Sequence, residues 1–353
     1  MAVRVAINGF GRIGRTFLRA AWHDPDIDIV AVNDLGDLHN LAYLLKYDTV
    51  HGQFAGQVSA APSSDSGQGG ELIIGAKHVK VLAQKDPAAL PWKELAVDVV
   101  VESTGFFTEF AKAKAHLDAG AKRVVISAPA HGEGGDPGEH PLGATVLMAV
   151  NEEKLQTCTI SSNASCTTNS ASPLIAILDE ALGVERALLN TTHAYTASQR
   201  MVDSPNAKDF REGRAGAQNI IPSHTGAAVA VTKAYTQLEG KFDGIAMRVP
   251  VPAGSIADVT FIAKRDTTAE EVNDILRRAA ASERWQGIFD ASDEPLVSSD
   301  IIGNPHGSVA DLGMTRVVGN LVKVLAWYDN EVGYTHTLLM HVKEAGKYIS
   351  TAR

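Results

Sequence analysis

Cysteine is almost missing from this sequence: its 353 residues include two, Cys158 and Cys166. Two thiols cannot build a disulfide framework, and they point to a reducing compartment. Long apolar runs are missing as well. None approaches the roughly 18 residues of a membrane span, and the opening MAVRVAINGF lacks the apolar core of a signal peptide. There is no basic block either. Lys and Arg number 32 against 41 acidic residues, and the resulting charge of −9 is spread along the chain. That argues against nucleic acid or an acidic membrane surface as the main partner. What is present is a globular profile, 45% hydrophobic and 21% charged, long enough for two domains. The expected setting is soluble and cytoplasmic.

The first third alternates β-branched runs with helical patterns. Residues 3–7, 28–32, 96–101 and 123–126 read as buried strands, and 14–22 and 109–119 as helices. Such alternation implies a parallel sheet with crossover helices. Past about residue 165 the texture changes to a helix over 173–182, a long irregular stretch over 195–223, and longer strands over 244–251, 257–262 and 322–328. With a helix over 269–280, this predicts an α+β domain with a mostly antiparallel sheet. The tail 331–348 reads as one more helix. Two glycine-rich stretches, 61–70 and 131–143, read as surface loops.

Gly9-Phe10-Gly11-Arg12-Ile13-Gly14 follows the first strand and opens a helix. Glycines there allow a tight turn and let the backbone approach a pyrophosphate, which faces the positive end of the helix. The next strand ends at Asp34, twenty residues after Gly14. A carboxylate there accepts hydrogen bonds from an adenosine ribose and repels a 2′-phosphate. Context makes this a dinucleotide fingerprint rather than a plain turn.

A second cluster, Ser162-Asn163-Ala164-Ser165-Cys166-Thr167-Thr168-Asn169, joins an extended stretch to a helix. A free thiol is only about 3% thiolate at neutral pH; a helix N-terminus and a neighbouring imidazolium lower its pKa. Polar neighbours favour a reactive Cys166 over a buried structural one, and the reverse holds for Cys158. The best base among twelve histidines is His193, placed just after a strand over 187–191. A cluster of His131, Glu133, Asp136, Glu139 and His140 matches no zinc spacing, so no metal is expected.

Taken together, INGFGRIGR (7–15), AVNDL (31–35), LLKYDTVHG (44–52), VVESTG (100–105), SNASCTTN (162–169), TTHAYT (191–196), NIIPSHTGAA (219–228), AMRVPVP (246–252) and WYDNE (327–331) resemble the phosphorylating glyceraldehyde-3-phosphate dehydrogenases over almost the whole chain. The resemblance implies a Rossmann-type NAD-binding domain over 1–164, completed by a C-terminal helix over 330–353, and a catalytic domain over 165–329. It also implies oxidation and phosphorylation of glyceraldehyde 3-phosphate to 1,3-bisphosphoglycerate in glycolysis or gluconeogenesis, through a Cys166 hemithioacetal and thioester with His193 as base. By the same resemblance Gly9, Gly11, Arg12, Ile13, Gly14, Asp34, Lys85, Ser127 and Asn330 would hold NAD. Ser165, Thr167, Thr225 and Gly226 would hold the attacking phosphate, and Thr196 and Arg248 the substrate's own phosphate. The stretch 195–223 resembles the family's S-shaped loop, which implies a homotetramer. Taken singly, Ser165 and Thr167 also read as helix-cap groups and Asn330 as a turn residue.

There are departures. Ser170 stands where many relatives have a second cysteine, and Glu212 stands where some have an arginine, leaving Arg211 or Arg214 to substitute. Erythrose-4-phosphate dehydrogenases, which share the thiol chemistry, and a non-catalytic binding role are the competing readings. Thr225-Gly226 favour the phosphorylating enzyme over the former, and the Cys166–His193 pair with the cofactor fingerprint argues against the latter.

Overall fold

The computed structural model describes residues 2–63, 69–132, 142–207 and 209–349. Half of the first glycine-rich stretch and most of the second lie outside them, as do Glu133, Asp136, Glu139 and His140. Among the described residues no group of three or more His, Cys, Asp or Glu could hold a metal.

The chain divides into two compact units. The first takes in Met1–Val146, Glu152–Ala164 and Leu338–Arg353; the second takes in Leu147–Asn151 and Ser165–Thr337. Residues 147–151 and 330–337 therefore lie in the second unit, whereas the sequence reading put them in the first.

In the first unit β1 (Val3–Asn8) leads through α1 (Arg12–Ala21) to β2 (Ile27–Asn33) and α2 (Leu38–Lys46). A two-residue hairpin, β3 (Tyr47–Asp48) and β4 (Gly52–Gln53), precedes the meander β5 (Val58–Pro62), β6 (Gly70–Ile74) and β7 (Lys77–Leu82). Then come β8 (Val99–Glu102), two short helices α3 (Phe110–Ala113) and α4 (Ala115–Asp118), β9 (Arg123–Ile126), β10 (Gly143–Thr145) and β11 (Ile160–Ser162). The nine-stranded sheet has the order β10-β11-β9-β8-β1-β2-β7-β6-β5. It is parallel from β10 to β7 and antiparallel through the meander. Parallel strands are covered on both faces, and all four residues of β8 and of β9 are accordingly buried. The helix expected over 109–119 is interrupted at Lys114.

The last helix, α8 (Val332–Lys347), contributes its residues from Leu338 onward to this unit. Lys343 Nζ reaches Asp24 at 2.9 Å and Asp26 at 2.8 Å, and Arg123 donates to the Tyr348 carbonyl at 3.1 Å. Gly346 is required there, since a Cβ would stand 2.4 Å from Val3 Cγ2.

The second unit opens with α5 (Cys166–Leu182) and β12 (Val184–Ala194), followed by β13 (Ile221–His224), α6 (Ala227–Ala234), β14 (Phe242–Val249) and β15 (Ser255–Ala263). It continues with α7 (Ala269–Ala280), β16 (Phe289–Ser292), β17 (Ser308–Val318) and β18 (Leu321–Tyr328). The seven strands lie in the order β13-β14-β12-β15-β18-β17-β16, with only β14-β12 and β17-β16 parallel. Strict alternation gives the sheet two faces. Ala187, Leu189, Thr191 and His193 point into the core with Val322, Val324, Ala326 and Tyr328, whereas Leu188 and Leu321 point outward. Two expectations are corrected here. The helix α5 starts at Cys166, where the thiol cluster had put a helix N-terminus, so the range 173–182 is too short; proline is favoured in a first helical turn but Pro173 sits in the interior. The strand β12 runs through His193 instead of ending before it.

Candidate functional site

In the first unit the glycine turn has a steric basis. Gly9 has φ +95°, and a Cβ there would lie 2.6 Å from the Thr104 nitrogen. A Cβ on Gly14 would lie 2.2 Å from the Gly9 carbonyl oxygen. Gly11 differs: a Cβ there would meet nothing within 4 Å. It is also the N-cap of α1 and offers no side-chain acceptor to that helix start. Beside this turn opens a cleft of about 530 Å³, lined by Gly9, Gly11, Asp34, Lys85 and the Phe106–Phe107 edge among others. The Asp34 carboxylate accepts from Phe10 N at 2.7 Å and Gly36 N at 2.8 Å, which aims it across the turn. Two close-packed glycines, an open one, an uncapped helix start and an oriented carboxylate fit a dinucleotide.

Other expected cofactor residues stand apart from the cleft lining. Arg12 is ion-paired with Asp48, and Ile13 sits beside it in the first turn of α1. Ser127 follows β9 with its N–H on the Glu102 carbonyl. Asn330 is in the second unit, where its Oδ1 accepts from Gly254 N at 3.1 Å and Ser255 Oγ at 3.2 Å.

The thiol centre lies within the second unit. Ser165 caps α5, its Oγ accepting from Thr168 N at 3.0 Å, an arrangement worth about 1 kcal/mol. Cys166 is thereby the first helical residue, where the backbone dipole favours negative charge. Ala164 at φ +55° precedes the cap, a left-handed conformation uncommon for alanine. Cys166 Sγ stands 3.2 Å from His193 Nε2. On the adjacent strand Arg248 is in register with His193, and its Nη1 lies 2.6 Å from His193 Nδ1 and 3.3 Å from the Ala194 carbonyl. That same carbonyl is 2.7 Å from Nδ1. The two neighbours of Nδ1 demand opposite tautomers. A guanidinium only donates, so opposite Arg248 the nitrogen accepts and the ring proton sits on Nε2. When Nδ1 instead donates to Ala194, Nε2 is left as an acceptor facing Sγ.

Burial pushes the Cys166 thiol up to about 11, against the pull of the Arg248 charge. Burial, reinforced by Arg248, brings His193 down to about 3. Across the neutral range the pair thus holds a single proton, to be exchanged between sulfur and nitrogen. The sequence reading had placed an imidazolium beside the thiol. Desolvation, which disfavours both charged forms, argues against a standing imidazolium.

Around this pair the expected phosphate residues separate into two sets. Thr168 Oγ1 donates to the Ala227 carbonyl at 3.3 Å, joining the start of α5 to the start of α6. Thr225 and Gly226 stand at that second helix start, Thr225 Oγ1 accepting from Ala227 N at 3.2 Å. Ser165, Thr225 and Gly226 are therefore brought together by two helix N-termini. Thr167 is turned away: its hydroxyl is 2.8 Å from Tyr328 OH in the core. Thr196 bonds locally to Ser198 and Gln199. Of the two arginines near Glu212, Arg214 is held by Asp203 at 2.7 Å, and Arg211 is exposed with no ion pair among the described residues.

With both centres described, the comparisons with known proteins are direct. Residues 3–110 match the family model for the glyceraldehyde 3-phosphate dehydrogenase NAD binding domain, and residues 165–330 match that for its C-terminal domain. The chain belongs to the glyceraldehyde 3-phosphate dehydrogenase family. It is 48% identical over 342 residues to glyceraldehyde-3-phosphate dehydrogenase 1 of Streptomyces avermitilis, covering 96% of this chain and 97% of that one. It is 47% identical over 354 residues to the Mycobacterium avium enzyme, covering 98% and 99%, and 46% identical to glyceraldehyde-3-phosphate dehydrogenase 1 of Bacillus subtilis, covering 96% and 97%. The fold is thus a Rossmann-type NAD-binding domain with an α+β domain built on a mostly antiparallel sheet.

Several residues at these centres escaped the sequence reading. Asn8, Asn33, Gln84, Thr104, Phe106 and Phe107 line the cleft beside the glycine turn, and Tyr328 meets Thr167, Thr191 at 2.7 Å and the His193 ring edge-on at 6.0 Å. The VVESTG block was the one sequence signal pointing at the Thr104 wall.

Proposed function

We propose that this protein oxidises glyceraldehyde 3-phosphate with NAD and passes the acyl group to inorganic phosphate, yielding 1,3-bisphosphoglycerate. The observation that carries the reading is the 3.2 Å contact between Cys166 Sγ, at a helix start, and His193 Nε2, in a chain of this family. Cys166 is only half-buried as a residue, which leaves its end of α5 approachable by an aldehyde. Proton transfer from sulfur to Nε2 frees the thiolate, which forms an S–C bond to the aldehyde carbon as the carbonyl oxygen takes up a proton. His193 then removes the hydroxyl proton of this hemithioacetal. NAD, when bound, supplies the hydride acceptor. The resulting thioester is cleaved by phosphate, breaking the C–S bond and returning Cys166. Arg248 suits the substrate's phosphate by its charge and planar fork. Drawn onto that anion, it leaves Nδ1 to donate to Ala194 alone, which sets Nε2 as the base. Ser165, Thr225 and Gly226 suit the attacking phosphate.

Gly9, Gly11, Gly14, Asp34 and Lys85 would hold NAD, and the Asn330 amide suits its carboxamide. A homotetramer is supported by the exposed Leu188, Ile245, Met314 and Leu321 of the second sheet and by Met201, Val202, Phe210 and Ile220 of the loop between β12 and β13. Two cysteines outside any disulfide fit a cytoplasmic setting. The deciding assay follows NADH formation from glyceraldehyde 3-phosphate. Turnover that requires phosphate or arsenate is expected; turnover indifferent to both, or greater on erythrose 4-phosphate, overturns the reading.

A further inference from the structure

Below the cleft of the first unit lies a chain of buried polar groups that the chemistry above does not use. Glu102 ends β8 and is 1% exposed. Its Oε2 accepts from Asn8 Nδ2 at 2.5 Å and from His116 Nε2 at 3.1 Å, and its Oε1 accepts from Thr104 N at 2.8 Å and from the Thr104 hydroxyl. His116 is wholly buried, and its Nδ1 lies 3.0 Å from Trp92 Nε1. An indole N–H only donates, so Nδ1 accepts, and the ring proton is on Nε2 pointing at the carboxylate. Trp92 thereby dictates the tautomer that serves Glu102.

A carboxylate withdrawn from water is costly unless its lone pairs are met by donors. Here donors meet both oxygens, and every one leads to the cleft. Asn8 and Thr104 line it directly. Through Asn8 Oδ1, which accepts from Asn33 Nδ2 at 2.6 Å, the chain reaches Asn33 and then Gln84, whose N–H and carbonyl are both 2.9 Å from the Asn33 amide. Through His116 it reaches Phe107, whose ring meets the imidazole edge-on at 6.2 Å. One carboxylate therefore ties the Thr104–Phe107 wall to the Asn33–Gln84 wall. Gly9 adds to the coupling, since its Cα is packed against the Ser103–Thr104 peptide.

We propose that Glu102, with its donor set by Trp92 through His116, is a positioning residue that fixes the spacing of these two walls and thereby the affinity for NAD. The proposal rests on the reading of this cleft as the adenosine side of the NAD site.

The test measures NAD affinity of the full-length protein by calorimetry, beside its thermal midpoint. Glu102→Gln keeps the shape but presents an amide N–H2 to groups that are themselves donors. About tenfold weaker NAD binding is expected, with kcat at saturating NAD within about twofold of the parent. Trp92→Phe releases His116 Nδ1, so the imidazole can turn tautomer and accept from the new amide. The double variant Glu102→Gln/Trp92→Phe should therefore recover at least threefold of the lost affinity. Should Glu102→Gln not fold, His116→Leu and His116→Gln replace it: the leucine removes a donor, whereas glutamine can both donate to Glu102 and accept from Trp92. Weaker binding for leucine alone supports the proposal, and equal affinities for the two overturn it. Asp34→Gly separates the two levels. If Asp34→Gly weakens NAD binding while Glu102→Gln, folded, binds as the parent does, the positioning role is wrong. If neither substitution changes NAD binding, the reading of the cleft falls, and the proposal with it. If Glu102→Gln weakens binding and the double variant recovers nothing, the tautomer linkage through Trp92 is overturned.

Discussion

Cys166 Sγ and His193 Nε2 face each other at 3.2 Å, one on the first residue of a helix and the other near the end of a strand. With the thiol pushed up to about 11 and the imidazole brought down to about 3, neither titrates separately near neutrality. The thiolate exists there as one tautomer of a one-proton pair, so its fraction depends only weakly on pH near neutrality.

Alkylation of Cys166 by iodoacetamide should consequently proceed at a nearly constant rate from pH 5 to 9, approximately. An ordinary thiol would instead gain about tenfold per pH unit below its pKa of about 8.5. In His193→Ala that ordinary climb should return, with a neutral-pH rate at least tenfold lower than the parent's. Cys166→Ser should abolish turnover and retain NAD binding. A steep profile in the parent, or labelling mainly at Cys158, would refute the pair.

Arg248 contacts Nδ1 at 2.6 Å and so opposes the tautomer in which Nε2 is a base. Glyceraldehyde, lacking the phosphate that draws Arg248 away, should therefore lose kcat as well as affinity, by about 100-fold at saturation, a plausible range for general-base catalysis. Steady-state kinetics with both aldehydes decide it; a difference confined to KM would sink the idea.

Asp34 is held by two backbone N–H groups facing the cleft. NAD should be preferred over NADP at least tenfold in kcat/KM, about 1.4 kcal/mol. Asp34→Gly should narrow the gap. Equal values for the two cofactors in the parent would overturn the assignment.

Peroxide should inactivate the enzyme without a protective intrachain disulfide. Ser170, four residues after the nucleophile on α5, is buried and is no thiol, and Cys158 is only 1% exposed. Oxidised Cys166 is expected to pass through sulfenic to sulfinic acid, with glutathione during exposure preserving activity. Mass spectrometry that finds mainly a Cys158–Cys166 disulfide would contradict this.

What the sequence determined alone was whatever depends on short spacing. The glycines at 9, 11 and 14 and the carboxylate at 34 are read from neighbours in one strand–turn–helix unit, and steric limits at Gly9 and Gly14 leave few alternatives. Strands such as β8 and β9 were legible because burial on both faces writes an unbroken apolar run. Cys166 was marked by its run of small polar neighbours, although Ser162, Asn163, Thr167, Thr168 and Asn169 are themselves buried. The full range of its helix was not, because α5 is buried almost all round and carries little amphipathic signal, and Pro173 mimics a first turn. Only the tertiary structure could decide which histidine meets the thiol, since the pairing of His193 with Arg248 spans 55 residues in strand register and its approach to Sγ spans 27 residues from strand to helix start. The same holds for the protonation of that pair. Spacing suggested an imidazolium, and burial, a property of the packed whole, set the opposite balance. Glu102 shows the limit most plainly: in sequence it is one acid after three valines, and its purpose depends on Asn8, Thr104, His116 and Trp92 meeting in space.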